Sequence, residues 1–448
     1  MRPILFEIKQ GETGLSSHGG LALIGQLLQG TQLEDRVDQV SVPNHPRPMI
    51  SHSDVVKATI GLLCLGKPDF EAIEEFRDDR FFAQALGLSS VPSEGTLRQR
   101  LDDARGAFDT ILLEESARLV KRYAPTLTSC YKKWIPLDVD VSPFDNSGTK
   151  KEGVSYTYKK VNGYAPIFAY LGGEGYWVHG ELREGKQHCQ EGTAAFLRES
   201  LRLSKQITAA PLLVRMDSGN DSADNIQVCQ AEGVDWLIKR NLRQESVDDW
   251  LEKAKTYGEA EHPRPGKTLY RGYVYVKRSG LTGYQRIVFE VIERTCAASG
   301  EAFLFPEIEV DTYWTSLEAS PEEVIDLYHA HGTSEQFHSE IKSDLNLERL
   351  PSGKMATNAL ILRLGMLAYN GLRLCGQELL RNDGDSSPGE SLPIRKKIQR
   401  RRLRSVMQDL MYLACRVVHH ARRKWLSFDR KNPWYGGWRR IYYQFAGG

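Results

Sequence analysis

Four acidic side chains stand where their spacing could do chemistry. In "LDVDVS", Asp138 and Asp140 are two residues apart in a strand-like run, so both point to one side of a sheet. In "LLVRMDSG", Asp217 closes an apolar run at a Gly turn. An acid at the C-terminal end of a strand in an open α/β sheet lies where such sheets bind ligands. In "YHAHGTSEQFHSEIKSDLNLERLPSG", Tyr328 to Gly353, Glu335 falls in the first turn of a helix, where an acid is locally favoured. Lys342 lies seven residues on, two turns along the same face, with Glu340 between them. Carboxylates a few ångströms apart repel, and a hard divalent cation relieves that repulsion. Each acid alone also reads as a helix cap, a turn residue or part of a solvated face.

The elements that must position these acids change period along the chain. Residues 1–130 read as a short leading strand and then helices: "HGGLALIGQLLQG", "SDVVKATIGLLCLG", "DFEAIEEFRDDRFFAQALG" and "PSEGTLRQRLDDARGAFDTILLEESARLVKRYA", the last capped by Ser93. Short helices with tight turns, followed by one carrying Arg98, Arg100 and Arg105, fit a helix-turn-helix-like DNA binder or a plain helical bundle. From about residue 134 the period becomes 2. "WIPLDVDVS", "VSYTYKKV", "YAPIFAYLGG" and "GYWVHGELR" read as strands; a helix, the strand ending at Asp217, a helix and the strand "VDWLIKR" follow. That order describes an α/β sheet whose first part is antiparallel. Residues 241–310 alternate as hairpins do, and their Trp250, Tyr270, Tyr273, Tyr275 and Tyr284 either pack a small sheet or stack on an unpaired base. Helix returns at "SPEEVIDLYHAH", with Ser320 as cap and Pro321 first. Gly332 is expected to break or bend it, and Thr333 with Gln336 reads as a capping box for the next helix. "NDGDSSPGESLP" reads as a linker.

Composition narrows the class. An apolar content of 41% and a charged content of 26% are those of a soluble globular protein, and 448 residues suffice for two or three domains. No run approaches the ~18 apolar residues of a membrane span, and the first residues lack a signal-peptide core. The seven cysteines are scattered without a C-x-x-C pair, which points to a reducing cytoplasm rather than a zinc site. The net charge of +1 hides an asymmetry: from Pro393 on, fifteen Lys or Arg face only Asp409 and Asp429. "IRKKIQRRRLRSV" and "HHARRKW" are expected to be helical, as a solvated face or as a polyanion-binding surface.

From Tyr328 the pattern is Y-x2-H-x3-E-x6-K. It resembles the Y-x2-R-x3-E-x6-K signature of DDE insertion-sequence transposases, and the chain from about Pro92 to Asn358 is similar to the IS-thirteen-eighty-like group. "LDVDVS", "VRMDSG", "YWTSL" and "GTSEQFHSEIKSDLNLERLPSGKMATN" carry the likeness. It implies an α/β ribonuclease-H-like catalytic domain (131–240 and 311–380) with a β-rich insertion (241–310). A helical DNA-binding domain (1–130) and a helical basic C-terminal region (381–448) flank it. Asp140, Asp217 and Glu335 would form the triad, holding two Mg²⁺ ions for which Mn²⁺ substitutes. Asp140 is preferred to Asp138 because Ser142 follows it by two, and Glu340 is then an exposed helix acid.

The resemblance further implies a cut-and-paste enzyme of the nucleoid that binds terminal inverted repeats and target DNA as a homodimer in the synaptic complex. Tyr328, His331 and Lys342, with Arg98 and Arg100 of the N-terminal helices, are the expected DNA contacts; Tyr328 equally reads as helix packing. His331 departs from the signature arginine, and a neutral imidazole does not replace an always-charged bidentate group. Either a neighbour covers its job or activity is impaired. Two other readings share this pattern: a ribonuclease-H-like nuclease without strand transfer, and an inactive DNA-binding descendant.

Overall fold

The apolar run Ile135–Val141 is a central strand, buried on both faces except at Asp140. A computed structural model describes residues 14–46, 48–243, 245–381, 392–394, 398–421 and 423–447. A short strand, Leu15–Ser16, precedes the first helix, and most of the linker read at 382–393 lies outside the described residues. Nine strands make one sheet, in the order Gly258–Arg264, Lys267–Lys277, Tyr284–Cys296, Ala302–Thr315, Asp235–Lys239, Leu212–Met216, Ile135–Val141, Ile167–Leu171, Tyr176–Glu181. Leu212–Met216 runs parallel to both neighbours, Ile135–Val141 and Asp235–Lys239. The other pairings are antiparallel. The α/β class and the antiparallel beginning agree with the sequence pattern.

The β-rich stretch does not form a sheet of its own. Tyr313–Thr315 pairs with Leu237–Lys239, so the long hairpins extend the central sheet beyond its parallel part. A helix, Val247–Tyr257, packs on these strands through Trp250 and Ala254; its apolar content is too sparse to stand out in the sequence.

Helices cover the sheet and join it to the N-terminal region. The 26-residue helix Met355–Leu380 packs on Tyr176–Glu181, Asp109–Tyr123 and His52–Cys64. All thirteen residues of His52–Cys64 are buried, and Ser51 caps it by accepting from the Asp54 N–H at 3.0 Å. A helix without a polar face needs neighbours all round. One continuous apolar core therefore runs from Leu21 through the sheet to Phe445.

The C-terminal region is not a pair of basic helices. Arg402 precedes a short helix, Leu403–Val406, and a π-helical turn, Met407–Met411. Cys415–His420 and Arg423–Phe428 form a hairpin that pairs with Leu15–Ser16. Pairing of Val417 with Leu426 and Val418 with Trp425, and of Arg416 with Leu15 of the N-terminal strand, holds this segment extended. The last helix, Tyr435–Gly447, packs on Leu21–Gln29 and Met355–Leu380.

Candidate active site

The two candidate aspartate strands lie side by side, in parallel register that sets Asp138 beside Arg215. Asp138 is consumed by that register. Its carboxylate accepts from Arg215 Nε at 2.6 Å and Nη2 at 2.8 Å, and His331 Nδ1 lies 3.0 Å from Oδ1. Asp138 and Arg215 are almost wholly buried. Burial raises the Asp138 pKa, but Arg215 and His331 outweigh it and the net shift is downward. Arg215 also donates to the Leu327 carbonyl at 2.8 Å, tying the helix Pro321–His329 to the sheet.

Asp140, one pleat further along, opens instead on a cavity of about 780 Å³. Asp217, Tyr328, His331, Glu335 and Lys342 line the same cavity. Asp217 stands just past the strand Leu212–Met216 and opens a 3-10 turn, Ser218–Asn220; Asn220 Nδ2 donates to its Oδ1 at 2.8 Å. Burial, then the Asp140 charge, raises the Asp217 pKa. Burial raises that of Asp140 too, but hydrogen bonding to His338 reverses the sign and the net shift is downward. Like charges pressed together in this way are what a bound cation stabilises.

The third acid rides on a seated helix. Pro321–His329 runs through a 3-10 turn, Ala330–Thr333, into the helix Ser334–Ser339 and a π-helical turn, Glu340–Asp344. The 3-10 turn that contains Gly332 interrupts the α-helix, as expected of that glycine. Thr333 is helical at φ −61° and donates to the Ala330 carbonyl, so the capping box read from the sequence is not formed. The Ser320 capping box is formed, with Glu323. Phe337 and Ile341 face the core; a Cβ on Gly175, at φ +70°, would meet the Phe337 ring, so this left-handed glycine admits the helix. Glu335 is exposed and looks into the cavity. Glu340 is not the exposed acid expected: it is buried against Arg373 and accepts from the Leu403 N–H at 3.3 Å.

The tail arginines hold this helix as well. Arg400 Nη2 donates to Gln336 Oε1 at 2.5 Å and stacks on Phe337; Arg402 Nε and Arg404 Nε lie 2.9 and 3.4 Å from the Asp344 carboxylate; Arg401 pairs with Asp409. They are clamps rather than an open row of phosphate ligands. Arg402 and Arg404 are exposed although paired; further exposed cations lie at Arg416, Arg423, Lys424, Arg430, Lys431 and Arg439.

Other expected DNA contacts divide. Lys342 is half-buried on the cavity wall, and burial, above all, lowers its pKa. Tyr328 does both things read for it, packing 4.8 Å from the Tyr313 ring while lining the cavity. His331 is 5% exposed and turned to Asp138, so its Nδ1 is not a free phosphate clamp. Arg100 is 4% exposed and spent on the Ile50 carbonyl at 2.7 Å and His52 at 2.6 Å, which removes it as a DNA contact. Arg98 is half exposed but paired with Glu94 and stacked on Phe70. In the β-rich stretch, Trp250 is buried against Phe289, while Tyr273, Tyr275 and Tyr284 are exposed.

Sequence reasoning missed His338. Its Nε2 lies 3.1 Å from Asp140 Oδ2, and its Nδ1 lies 3.1 Å from the buried Tyr170 hydroxyl. The signal was there: His338 follows Glu335 by one helical turn and so shares its face. Arg215, two residues before Asp217 on a strand, carried the matching period-2 signal.

Among the described residues no group of three His, Cys, Asp or Glu already encloses a metal site. The donor chemistry still fits a hard cation: two coupled carboxylates of opposite pKa shift, with an exposed third across one cavity.

The chain belongs to the family described as Transposase DDE domain group 1, which matches residues 7–445. It is thus a transposase, an enzyme that cuts DNA and transfers strands, in a family that generally uses divalent metal ions. No curated protein matches it. Among solved structures, a piggyBac transposase synaptic complex with hairpin DNA is similar over 81% of this chain and 77% of that one, at 10% identity and a TM-score of 0.36. That likeness is too slight to bear on the site. No helix among the described residues is long and apolar enough to cross a membrane.

Proposed function

We propose that the chain is a cut-and-paste transposase of the IS-thirteen-eighty-like group, with a ribonuclease-H-like catalytic domain acting on the terminal inverted repeats of its own element. The observation that carries this reading is the convergence of Asp140, Asp217 and Glu335, from two strand ends and a helix, on one cavity that also holds Lys342. Those three acids would hold two Mg²⁺ ions, or Mn²⁺ in their place. When bound, such ions activate water or a 3′-hydroxyl and stabilise the leaving oxygen of an in-line displacement.

The remaining work belongs to the chain. His338 holds one Asp140 oxygen in place, with the Tyr170 hydroxyl behind it. Asp138, Arg215 and His331 lock the two strands to the helix that leads to Glu335. Lys342 and Tyr328 face the DNA strand, and the exposed cations of 416–439 hold the duplex beyond the site. Two protomers bring two ends together in a synaptic homodimer, on DNA of the nucleoid in the cytoplasm.

The test uses the full-length protein, a linear duplex ending in the element's terminal repeat, a target plasmid and Mg²⁺. Ends should be cut and joined to the target. Asp140→Asn, Asp217→Asn and Glu335→Gln should bind ends and not cut them, because each removes a coordinating charge at nearly constant shape. Cutting without joining identifies a nuclease, and end binding without cutting in any divalent metal identifies an inactive descendant. Full activity in the three variants refutes the triad.

A further inference from the structure

The cavity has a basic wall made by a loop that the triad does not use. Lys159 lines it together with Lys342. Lys159 is exposed and makes no hydrogen bond or ion pair among the described residues. Lys342 is half-buried and makes no hydrogen bond or ion pair among the described residues; its ammonium lies 5.7 Å from the centre of the Phe144 ring. A half-buried cation with no carboxylate at ion-pair distance loses hydration that is only partly returned. Glu348 and Asp140, on the same cavity, favour the Lys342 charge, while Lys159 opposes it, so the two ammonium groups feel each other. Two like charges held within mutual reach form a site for an anion between them.

The loop is built to hold that position. Lys160 sits at φ +63°, in a tight turn closed by Thr157 N–H to the Val161 carbonyl at 2.9 Å and Lys160 N–H to the Thr157 carbonyl at 2.9 Å. Tyr158 anchors the turn. Its hydroxyl donates to the Val141 carbonyl at 3.0 Å, one residue beyond Asp140, while its side chain is largely exposed along the cavity mouth. That bond ties the loop to the Asp140 strand. Carboxylates and lysines thus line one cavity, which offers groups for a cation and for an anion together.

We propose that Tyr158 and Lys159 are a strand clamp, in which Lys159 and Lys342 grip a phosphodiester adjacent to the scissile one and the Tyr158 ring covers the neighbouring sugar or base. The assignment rests on the active-site reading above for which phosphate is scissile. It does not depend on that reading for the existence of a two-lysine phosphate site. Lys159 is a positioning residue: it sets the strand's register over the acids and performs no proton transfer.

The experiment uses full-length protein, the duplex end of the element, and the same duplex with a neutral methylphosphonate placed singly at each of several phosphates around the cleavage point. Both the salt dependence of binding and single-turnover cleavage are read. Lys159→Ala should lower the slope of log affinity against log salt by about 0.9, the value of one phosphate contact on duplex DNA. It should slow cleavage at least tenfold with an unchanged thermal midpoint, since the side chain is exposed and makes no hydrogen bond or ion pair among the described residues. Lys159→Arg should restore the slope and most of the rate. At one methylphosphonate position, and only there, wild type and Lys159→Ala should become equal, because each change removes the same interaction. Tyr158→Phe should keep the ring but free the turn, lowering the cleavage rate more than the affinity.

A wild-type slope and rate in Lys159→Ala would overturn the clamp, as would additive losses at every methylphosphonate position. A wild-type protein that binds ends but cuts nothing removes the active-site reading instead. In that case the slope and the methylphosphonate coupling, read in binding alone, still decide for or against the two-lysine site.

Discussion

Asp138→Asn and Asp140→Asn differ by one pleat of a strand and should fail in opposite ways. Asp138 and Arg215 are 2% and 3% exposed, joined by two hydrogen bonds of 2.6 and 2.8 Å. Neutralising Asp138 leaves the guanidinium buried without a counter-charge. Breaking a buried pair on one side costs about 3–5 kcal/mol, a large share of a protein's net stability. Asp140→Asn gives up the His338 interaction that favours its charge but relieves Asp217 of a like charge, so its stability should change far less. Urea unfolding followed by circular dichroism reads the difference. Cleavage should be lost in both, with end binding preserved only in Asp140→Asn.

The pH dependence has a defined sign. The Asp138 pKa is lowered in the folded state, so its stabilisation is present above the unfolded value near 3.9 and is lost as pH falls through the folded value. The His331 pKa is raised, against burial, by the Asp138 charge; its contribution is complete below about 6.5 and fades as pH rises through the folded value. Asp138→Asn should flatten both limbs. A second change, Arg215→Met, should recover part of the lost stability, since an apolar group no longer needs the carboxylate. An Asp138→Asn protein of wild-type stability that no longer cuts, beside an active Asp140→Asn, would refute the reasoning and transfer the first acid by one pleat.

Three other outcomes follow from the same geometry. His331→Arg, which would restore the signature arginine, should destabilise the protein rather than activate it, because a second guanidinium would enter the buried space already held by Arg215; equal or higher activity with an intact thermal midpoint contradicts this. Arg401→Ala should lower stability by removing the partner of Asp409, whereas Arg416→Ala, Arg423→Ala and Lys424→Ala together should leave stability alone and reduce the salt slope of duplex binding by about 0.9 for each phosphate that is no longer neutralised. Ca²⁺ should support end binding but little cutting where Mg²⁺ and Mn²⁺ support both, since its coordination is looser; cutting that survives a chelator removes the metal-dependent reading.

Much of this protein is local in origin and so legible in its residues. The period-2 run around Asp138 and Asp140, the buried-type strand before Asp217 and the capping box at Ser320 are each decided within a few residues. The signature spacing from Tyr328 to Lys342 brings its members to one cavity because helical periodicity is a property of the backbone. What a charge is for is not local. Asp138 and Asp140 share a face and a chemistry; only the parallel pairing with Leu212–Met216, which puts Arg215 beside the first, makes one structural and leaves the other to the cavity. Glu340 and Glu335 differ in the same way, by the arrival of Arg373 from a helix 33 residues further along. Arg400, Arg401, Arg402 and Arg404 read as an open basic run until the chain folds back and meets Gln336, Asp344 and Asp409. A buried charge costs several kcal/mol unless it finds its opposite, and that partner is chosen by strand register and helix packing across long stretches of chain. Residue types therefore decide which groups could act, and the packing of distant segments decides which of them remain free to do so.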